Sequence, residues 1–588
     1  MFFYSLIFLL FWGCSSPEQK EDSQPSVQLT ANYYNYGFTN KNLESLDFFN
    51  RSREYGLEGI VAERFNVIDF NNDGYSDLVI VDSQYAQPQF FEYLPKQKKF
   101  IKTEDLFEQA VIASYLIFAD FNHDNILDVV VGVLNQRSEL SKLPVKIFQG
   151  SFKNGKLSFA EVKNAIKLEP MPTTTVTVFD YDLDGELDLY IGNWFGLYQD
   201  KPIPIKDYLF KGNGFQFKDV SHTLVGENDL KDKVFHLNAK PTYSVSTCDI
   251  DRNGFPDILT TSTSRYPNKL WMNVFTLKEG NREFVDYGMK SYYSADVEGR
   301  MDPRGGGRSF FSACADYNND SMMDVYLGEL SYSYDPLTVD KSSILTGTSK
   351  NFPPEFLRTE YMNDTDTINW NQGDRRGIWI DLNFDGLLDL LVDNSGFPPQ
   401  SRLVLFEQQQ NHAFENVAPK AGVDILNPTG SVILDINRDG KPDIITAQSK
   451  LRNAEIKNTI YVFENHYAYD GKRILRLYPR GKLSNSLAIG AMINLTTLRR
   501  DEEVTKRYWV EYSQGALPSQ NEEGIFFGLE KAEKILSLSV TWPYSKTQKD
   551  QSPQALEKSY KLNVDTKYYS DFTLCENGRF YPGKRVCD

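Results

Sequence analysis

Short apolar runs rich in β-branched and aromatic residues punctuate this chain, and each follows a polar, Asp-rich loop. Clear runs are Leu78, Val79 and Ile80; Val129, Val130 and Val131; Leu189, Tyr190 and Ile191; Val325, Tyr326 and Leu327; and Leu390, Leu391 and Val392. Similar runs precede the loops: Phe65 to Ile68, Tyr115 to Ala119, Val176 to Phe179 and Val432 to Leu434. Runs of this length and composition read as buried strands, and helical 3.6-residue periodicity is scarce. Each loop therefore joins two strands of a hairpin.

The loops share the form D-x-[DN]-x-[DN]-x-x-x-D and begin at Asp69, Asp120, Asp180, Asp249, Asp316, Asp381 and Asp435, at offsets of 51, 60, 69, 67, 65 and 54 residues. One supersecondary unit repeated seven times marks a repeat architecture. Units of this length hold four strands, which predicts an all-β fold: a seven-bladed β-propeller over residues 29–465. A phrase from Phe49 to Leu57 matches others near the ends of later repeats, so a strand from the N-terminal end is expected to close the ring.

Positions 1, 3, 5 and 9 of each loop carry side-chain oxygens, and the carbonyl at position 7 adds another. Oxygen ligands at that spacing suit a hard cation, and up to seven Ca²⁺ are expected. The candidate ligands are Asp69, Asn71, Asp73, Tyr75 and Asp77; Asp120, Asn122, Asp124, Ile126 and Asp128; Asp180, Asp182, Asp184, Glu186 and Asp188; Asp249, Asp251, Asn253, Phe255 and Asp257; Asp316, Asn318, Asp320, Met322 and Asp324; Asp381, Asn383, Asp385, Leu387 and Asp389; and Asp435, Asn437, Asp439, Lys441 and Asp443. Position 6 must turn sharply and is Gly in five loops, Asn125 in the second and Ser321 in the fifth. The third loop, with a carboxylate at all four side-chain positions, is expected to bind tightest, and the fourth and fifth weakest. An EF-hand is excluded: positions 10 to 12 are apolar strand rather than a path to a bidentate Glu. A plain hairpin turn would explain one Asp-Gly tip. It gives no reason for seven loops with acids aligned at positions 1 and 9.

Net charge is −17, which argues against nucleic-acid or anionic-membrane partners. The ligand positions account for much of it, with four acidic side chains in the third loop and three in each of the others. Aromatics at 14% of residues suit β-structure. Residues 1–13 read as a signal-peptide core too short to span a bilayer. Gly13 and Cys14 resemble a bacterial lipoprotein cleavage site, although no Lys or Arg precedes the apolar run. Cys14 is the expected lipidation site and 14–28 a tether, giving an exported outer-membrane or surface lipoprotein, or a secreted or periplasmic protein without lipid. Cys575 and Cys587 are expected to form a disulfide in the tail (546–588), while Cys248 and Cys314 are expected as buried thiols. Residues 466–545 alternate apolar and polar, as in a small β-sandwich or barrel.

The loops and their flanking strands resemble FG-GAP/VCBS repeats. Asn485 to Ala488, Ile489, Gly490 and Ala491, Ser519 and Gln520, Phe527, Gly528 and Leu529, and Val540 to Pro543 resemble an ASPIC/UnbV domain. The combination resembles the cartilage acidic protein family and its bacterial relatives. That resemblance implies a calcium-stabilised extracellular propeller, in a family whose role is mostly adhesion-like or unassigned. No catalytic constellation is recognisable, with no G-x-S-x-G, P-loop or H-E-x-x-H and five scattered His. The expected function is a non-enzymatic, monomeric surface protein whose loops on one propeller face present a surface for a protein or glycan ligand. The alternative is a polysaccharide-processing enzyme with substrate in the funnel. Arg304 to Arg308 and Gly373 to Gly377 are read as inter-blade loops with an anion-binding option. Trp194, Trp271, Trp370 and Trp379 are read as core aromatics with a sugar-stacking option, and His123 as pointing to solvent.

Overall fold

The computed structural model describes residues 29–31, 48–134, 143–153, 155–198, 201–225, 239–264, 266–276, 281–294, 307–331, 341–349, 352–363, 372–396, 401–469, 472–530, 533–545, 555–561 and 569–587. Cys14, the tether, Arg304 and Trp370 lie outside them. The fold is all-β. Every Asp-rich loop joins the first two strands of an antiparallel sheet, and in each sheet position 9 pairs with the residue just before position 1, as Ile68 with Asp77 and Leu434 with Asp443. Third and fourth strands complete each sheet outward, as Tyr208–Asn213 and Gln216–Asp219 do in the third. The first strands, Arg64–Ile68, Tyr115–Ala119, Thr173–Phe179, Thr242–Cys248, Ser309–Ala315, Gln372–Ile380 and Pro428–Leu434, adjoin one another in chain order, and the last adjoins the first. They line a central channel in a propeller-like arrangement.

The fourth strand of the last sheet is Phe48–Asn50, which pairs antiparallel with Thr459–Asn465. The expected closure by the chain's N-terminal side is therefore present. Apolar side chains such as Leu78, Val129, Leu189, Leu259 and Ile444 are wholly buried between neighbouring sheets. Trp271 and Trp379 belong to this core.

Two readings are corrected. Cys248 and Cys314 are joined in a disulfide, with Cα atoms 6.3 Å apart. They sit at the ends of adjacent first strands, and only the packing of one sheet against the next brings them together. Gly373 to Gly377 is not an inter-blade loop: it lies within the strand Gln372–Ile380, whose register shifts there in a β-bulge.

The C-terminal sequence forms two packed sheets. One orders Ile525–Leu529, Arg473–Arg480, Tyr569–Cys575 and Phe580–Pro582; the other orders Glu502–Trp509, Met492–Arg499, Lys534–Ser545 and Ala555–Tyr560. Leu475, Leu477, Ile493, Leu538, Val540 and Trp542 fill the space between them. The sandwich extends past residue 545, because three of its strands come from the expected tail, and Cys575 pairs with Cys587 there as expected.

Candidate metal centres

Each acidic loop is built by its own side chains. In every loop the position 1 carboxylate accepts the N–H of position 6 through Oδ2, from Gly74 at 2.9 Å in the first to Gly440 at 3.0 Å in the seventh. The position 5 side chain accepts the N–H of position 7, as Tyr75 donates to Asp73 at 2.9 Å. Position 6 has positive φ throughout, including Asn125 at 63° and Ser321 at 76°. Position 4 does too, at 58° for Leu183 and 62° for Phe384. Side chains rarely adopt that region, so such strain persists only where the surroundings hold it.

The position 9 carboxylate has a role that sequence reasoning missed. Asp389 accepts the N–H of Leu382 at 3.0 Å through one oxygen and that of Gln408, in the third strand, at 3.0 Å through the other. Asp77, Asp128, Asp188, Asp257, Asp324 and Asp443 make the equivalent pair of bonds. This acid staples the loop to the sheet, and all seven copies are buried. A turn therefore does use an acid after its position 6, and the aligned positions 1 and 9 are weaker evidence for a cation than sequence alone suggests.

Better evidence lies in the oxygens left over. The outer oxygen (Oδ1) of Asp249, Asp316, Asp381 and Asp435 is buried without a hydrogen-bond donor, as is Oδ1 of Asp182. Buried polar atoms are normally satisfied, and each unsatisfied one costs about 1–3 kcal/mol. Burial also pushes these acids up: Asp77 to about 8, Asp128, Asp249, Asp381 and Asp435 to about 7, and Asp316 to about 6. Hard oxygens gathered in low dielectric without enough positive charge fit a Ca²⁺ site. Bound Ca²⁺ would supply that charge and tie positions 1, 3 and 5 together.

The loops are not equivalent. Only the third and fourth have Asp at position 3, and there Asp180, Asp182 and Asp188, and Asp249, Asp251 and Asp257, each bring three carboxylate oxygens within 4.8 Å of one another. The fourth loop, expected to be weak, thus gathers three carboxylates like the third. Lys211 pairs with both Asp182 and Asp184 in the third loop, and the Arg282 guanidinium lies 3.1 Å from the Phe255 ring centroid in the fourth. His123 is half-buried, with Nε2 3.7 Å from Glu186 in the third loop, rather than turned out to solvent.

The face carrying the loops is covered by the C-terminal sandwich, which meets all seven. Ser76 donates to Glu522 at 2.5 Å, Ser486 bonds Asp120, and Ser545 N–H donates to the Leu183 carbonyl at 2.8 Å. Ala555 packs beside Gly254, Arg507 lies 3.4 Å from Asp316, Lys472 donates to the Asn383 carbonyl at 2.8 Å, and Arg476 lies 3.7 Å from Asp435. A hairpin of the sandwich, Ser513–Gln514 and Ser519–Gln520, enters the channel, where Gln520 pairs with Asn66 and exchanges two hydrogen bonds with the Phe118 backbone. Its tip reaches Thr174 and Thr175 through Leu517 and Gly515. The acidic loops therefore do not present an open ligand surface.

Hairpins on acidic loops around a channel, capped by a β-sandwich, define a repeat protein of the propeller-like class. Residues 69–131 and 381–446 match the FG-GAP-like repeat model, and residues 481–567 match the ASPIC and UnbV model, so the chain carries FG-GAP-like repeats followed by an ASPIC/UnbV domain. None of the curated proteins matches the sequence. Among solved structures, the V. cholerae biofilm matrix protein Bap1 is similar at 9% identity and a TM-score of 0.31, covering 85% of this chain, which spans 66% of Bap1's length. The exotype rhamnogalacturonan lyase YesX is similar at 12% identity and a TM-score of 0.29, covering 68% of this chain and 82% of its own. At those scores neither likeness carries weight, and the fold assignment rests on the strand pairings.

Proposed function

We propose that this protein is an exported, seven-bladed, calcium-stabilised propeller that acts as a non-enzymatic extracellular ligand-binding protein, anchored by lipid on Cys14. The observation that carries the calcium reading is the set of buried, donorless oxygens on Asp249, Asp316, Asp381 and Asp435. The FG-GAP-like repeats support an extracellular setting, and both disulfides fit an oxidising one. No helix among the described residues is long and apolar enough to cross a membrane. With the loop face taken by the sandwich, the ligand surface is the opposite face. The test is thermal unfolding in EDTA and in millimolar Ca²⁺, with bound calcium counted after gel filtration. A large rise in melting temperature with several ions per chain is expected. Indifference to the chelator would sink the reading.

A further inference from the structure

We infer that the channel mouth opposite the sandwich is a binding site for a carboxylated sugar, the acidic unit of an anionic oligosaccharide. This rests on the ligand-binding reading of that face and names the ligand class.

The first strands of the last five sheets each carry a register shift near their start. The shifts fall between Thr173 and Thr175, Thr242 and Ser244, Ser309 and Phe311, Asp374 and Gly377, and Thr429 and Val432. The residues pushed out of register include Thr174, Tyr243, Phe310, Arg375 and Gly430. A bulge turns a side chain out of the ladder and is a recurrent device for aiming it at a site. Five in a row lie at one end of the channel, and three of them, at Tyr243, Phe310 and Arg375, carry the displaced side chains of a rim. The sandwich supplies the floor, since Gly515 and Leu517 reach the same level from the other side.

The rim side chains touch one another. Trp194 packs edge-on against Tyr243 with ring centroids 5.2 Å apart, and Tyr243 lies 4.4 Å from Phe310. The Arg375 guanidinium sits 4.9 Å from the Phe310 centroid and donates to the Tyr243 hydroxyl at 3.1 Å. Arg64 starts the first strand near both Tyr243 and Arg375, and donates to Thr429 at 3.0 Å.

Among the described residues neither Arg64 nor Arg375 forms an ion pair, and the Nε of each is buried without an acceptor. The nearby Asp393 spends both oxygens on Ser431. The two neighbouring guanidiniums repel each other and are partly desolvated; Glu63 and Asp393 attract Arg64 without closing an ion pair, so an anion between the arginines would be favoured. Guanidinium forks match a planar carboxylate. The half-buried Trp194 and Tyr243 rings beside them offer apolar faces for a sugar ring. A free inorganic anion would use the arginines but not the rings.

The experiment is calorimetric titration of the calcium-loaded full chain with a defined galacturonate oligomer, its neutral galactose counterpart, phosphate, and an acidic peptide. Binding of the galacturonate oligomer alone is expected. Arg375→Gln and Arg64→Gln should each weaken it at least tenfold, and Trp194→Ala should weaken it while leaving the calcium-dependent melting shift intact. Tyr243→Phe keeps the ring and removes only the oxygen that Arg375 reaches, so it provides a milder variant if the arginine changes disturb folding. The inference is overturned if protein with a normal calcium response binds no acidic oligosaccharide. It is also overturned if the variants bind as wild type, or if phosphate or the peptide binds as well as the oligomer. Loss of the calcium response in the wild-type chain would instead count against the proposed function.

Discussion

Glu522 of the sandwich accepts the backbone N–H of Asp435, the first acid of the seventh loop, at 2.8 Å. The same carboxylate lies 2.6 Å from Arg476, which is itself 3.7 Å from Asp435. The last acidic loop and the domain that follows it thus share one buried charge cluster, and docking is written into the loop that precedes it in the chain.

Arg476→Met should loosen that docking. Removing one member of a buried ion pair typically costs about 3–5 kcal/mol, because its partners are left uncompensated. A lower urea midpoint and faster protease cleavage between propeller and sandwich are expected. The double variant Arg476→Met with Glu522→Gln should recover part of the loss.

Two acids in one loop should separate structural from cation-binding roles. Asp389→Asn turns an acceptor into a donor facing the N–H of Leu382 or Gln408, a loss of about 1–3 kcal/mol that should appear in EDTA and in calcium alike. Asp385→Asn keeps an acceptor for the Leu387 N–H and removes a charge. Its loss should appear only in calcium. Melting both variants in both buffers decides the matter.

Stability without calcium should fall as pH rises. Asp77 is raised from an ordinary 3.8 to about 8, and Asp381 and Asp435 to about 7, chiefly by burial. The folded chain therefore holds protons that the unfolded chain has released across the window from about pH 4 to 8. Stability from these groups is fully present below the lower limit and is lost as pH passes the folded values. In EDTA the melting temperature should drop between pH 5.5 and 8.5. Calcium displaces those protons, so its stabilising effect should widen over the same range.

The Cys248–Cys314 disulfide closes a 66-residue separation, for which chain entropy predicts about 4 kcal/mol. Replacing both by Ser, or adding reductant, should lower the melting temperature without changing the calcium count.

The sequence showed the hairpins, the repeat and position 6 of each loop because each is local: a strand pattern, a spacing, a turn that favours Gly. Position 4 stayed hidden since Leu183 and Phe384 adopt positive φ against their own preference, held by the loop's hydrogen bonds. The Cys248 pairing, the double role of Asp389 and the channel hairpin at Gln520 all depend on which sheets lie next to which. No window of sequence carries that. Bulges were invisible for the same reason: Tyr243 and Phe310 read as ordinary strand residues until a neighbour fixes the register.

The strand Phe48–Asn50 finds its partner more than four hundred positions later, at Thr459–Asn465. During synthesis this early strand must therefore wait as a bare margin, its amides and carbonyls unpaired, until the final sheet has been made. Such a margin invites pairing with another chain. Completion of this molecule is a single late event, and a nascent chain released before residue 465 has no means of sealing itself.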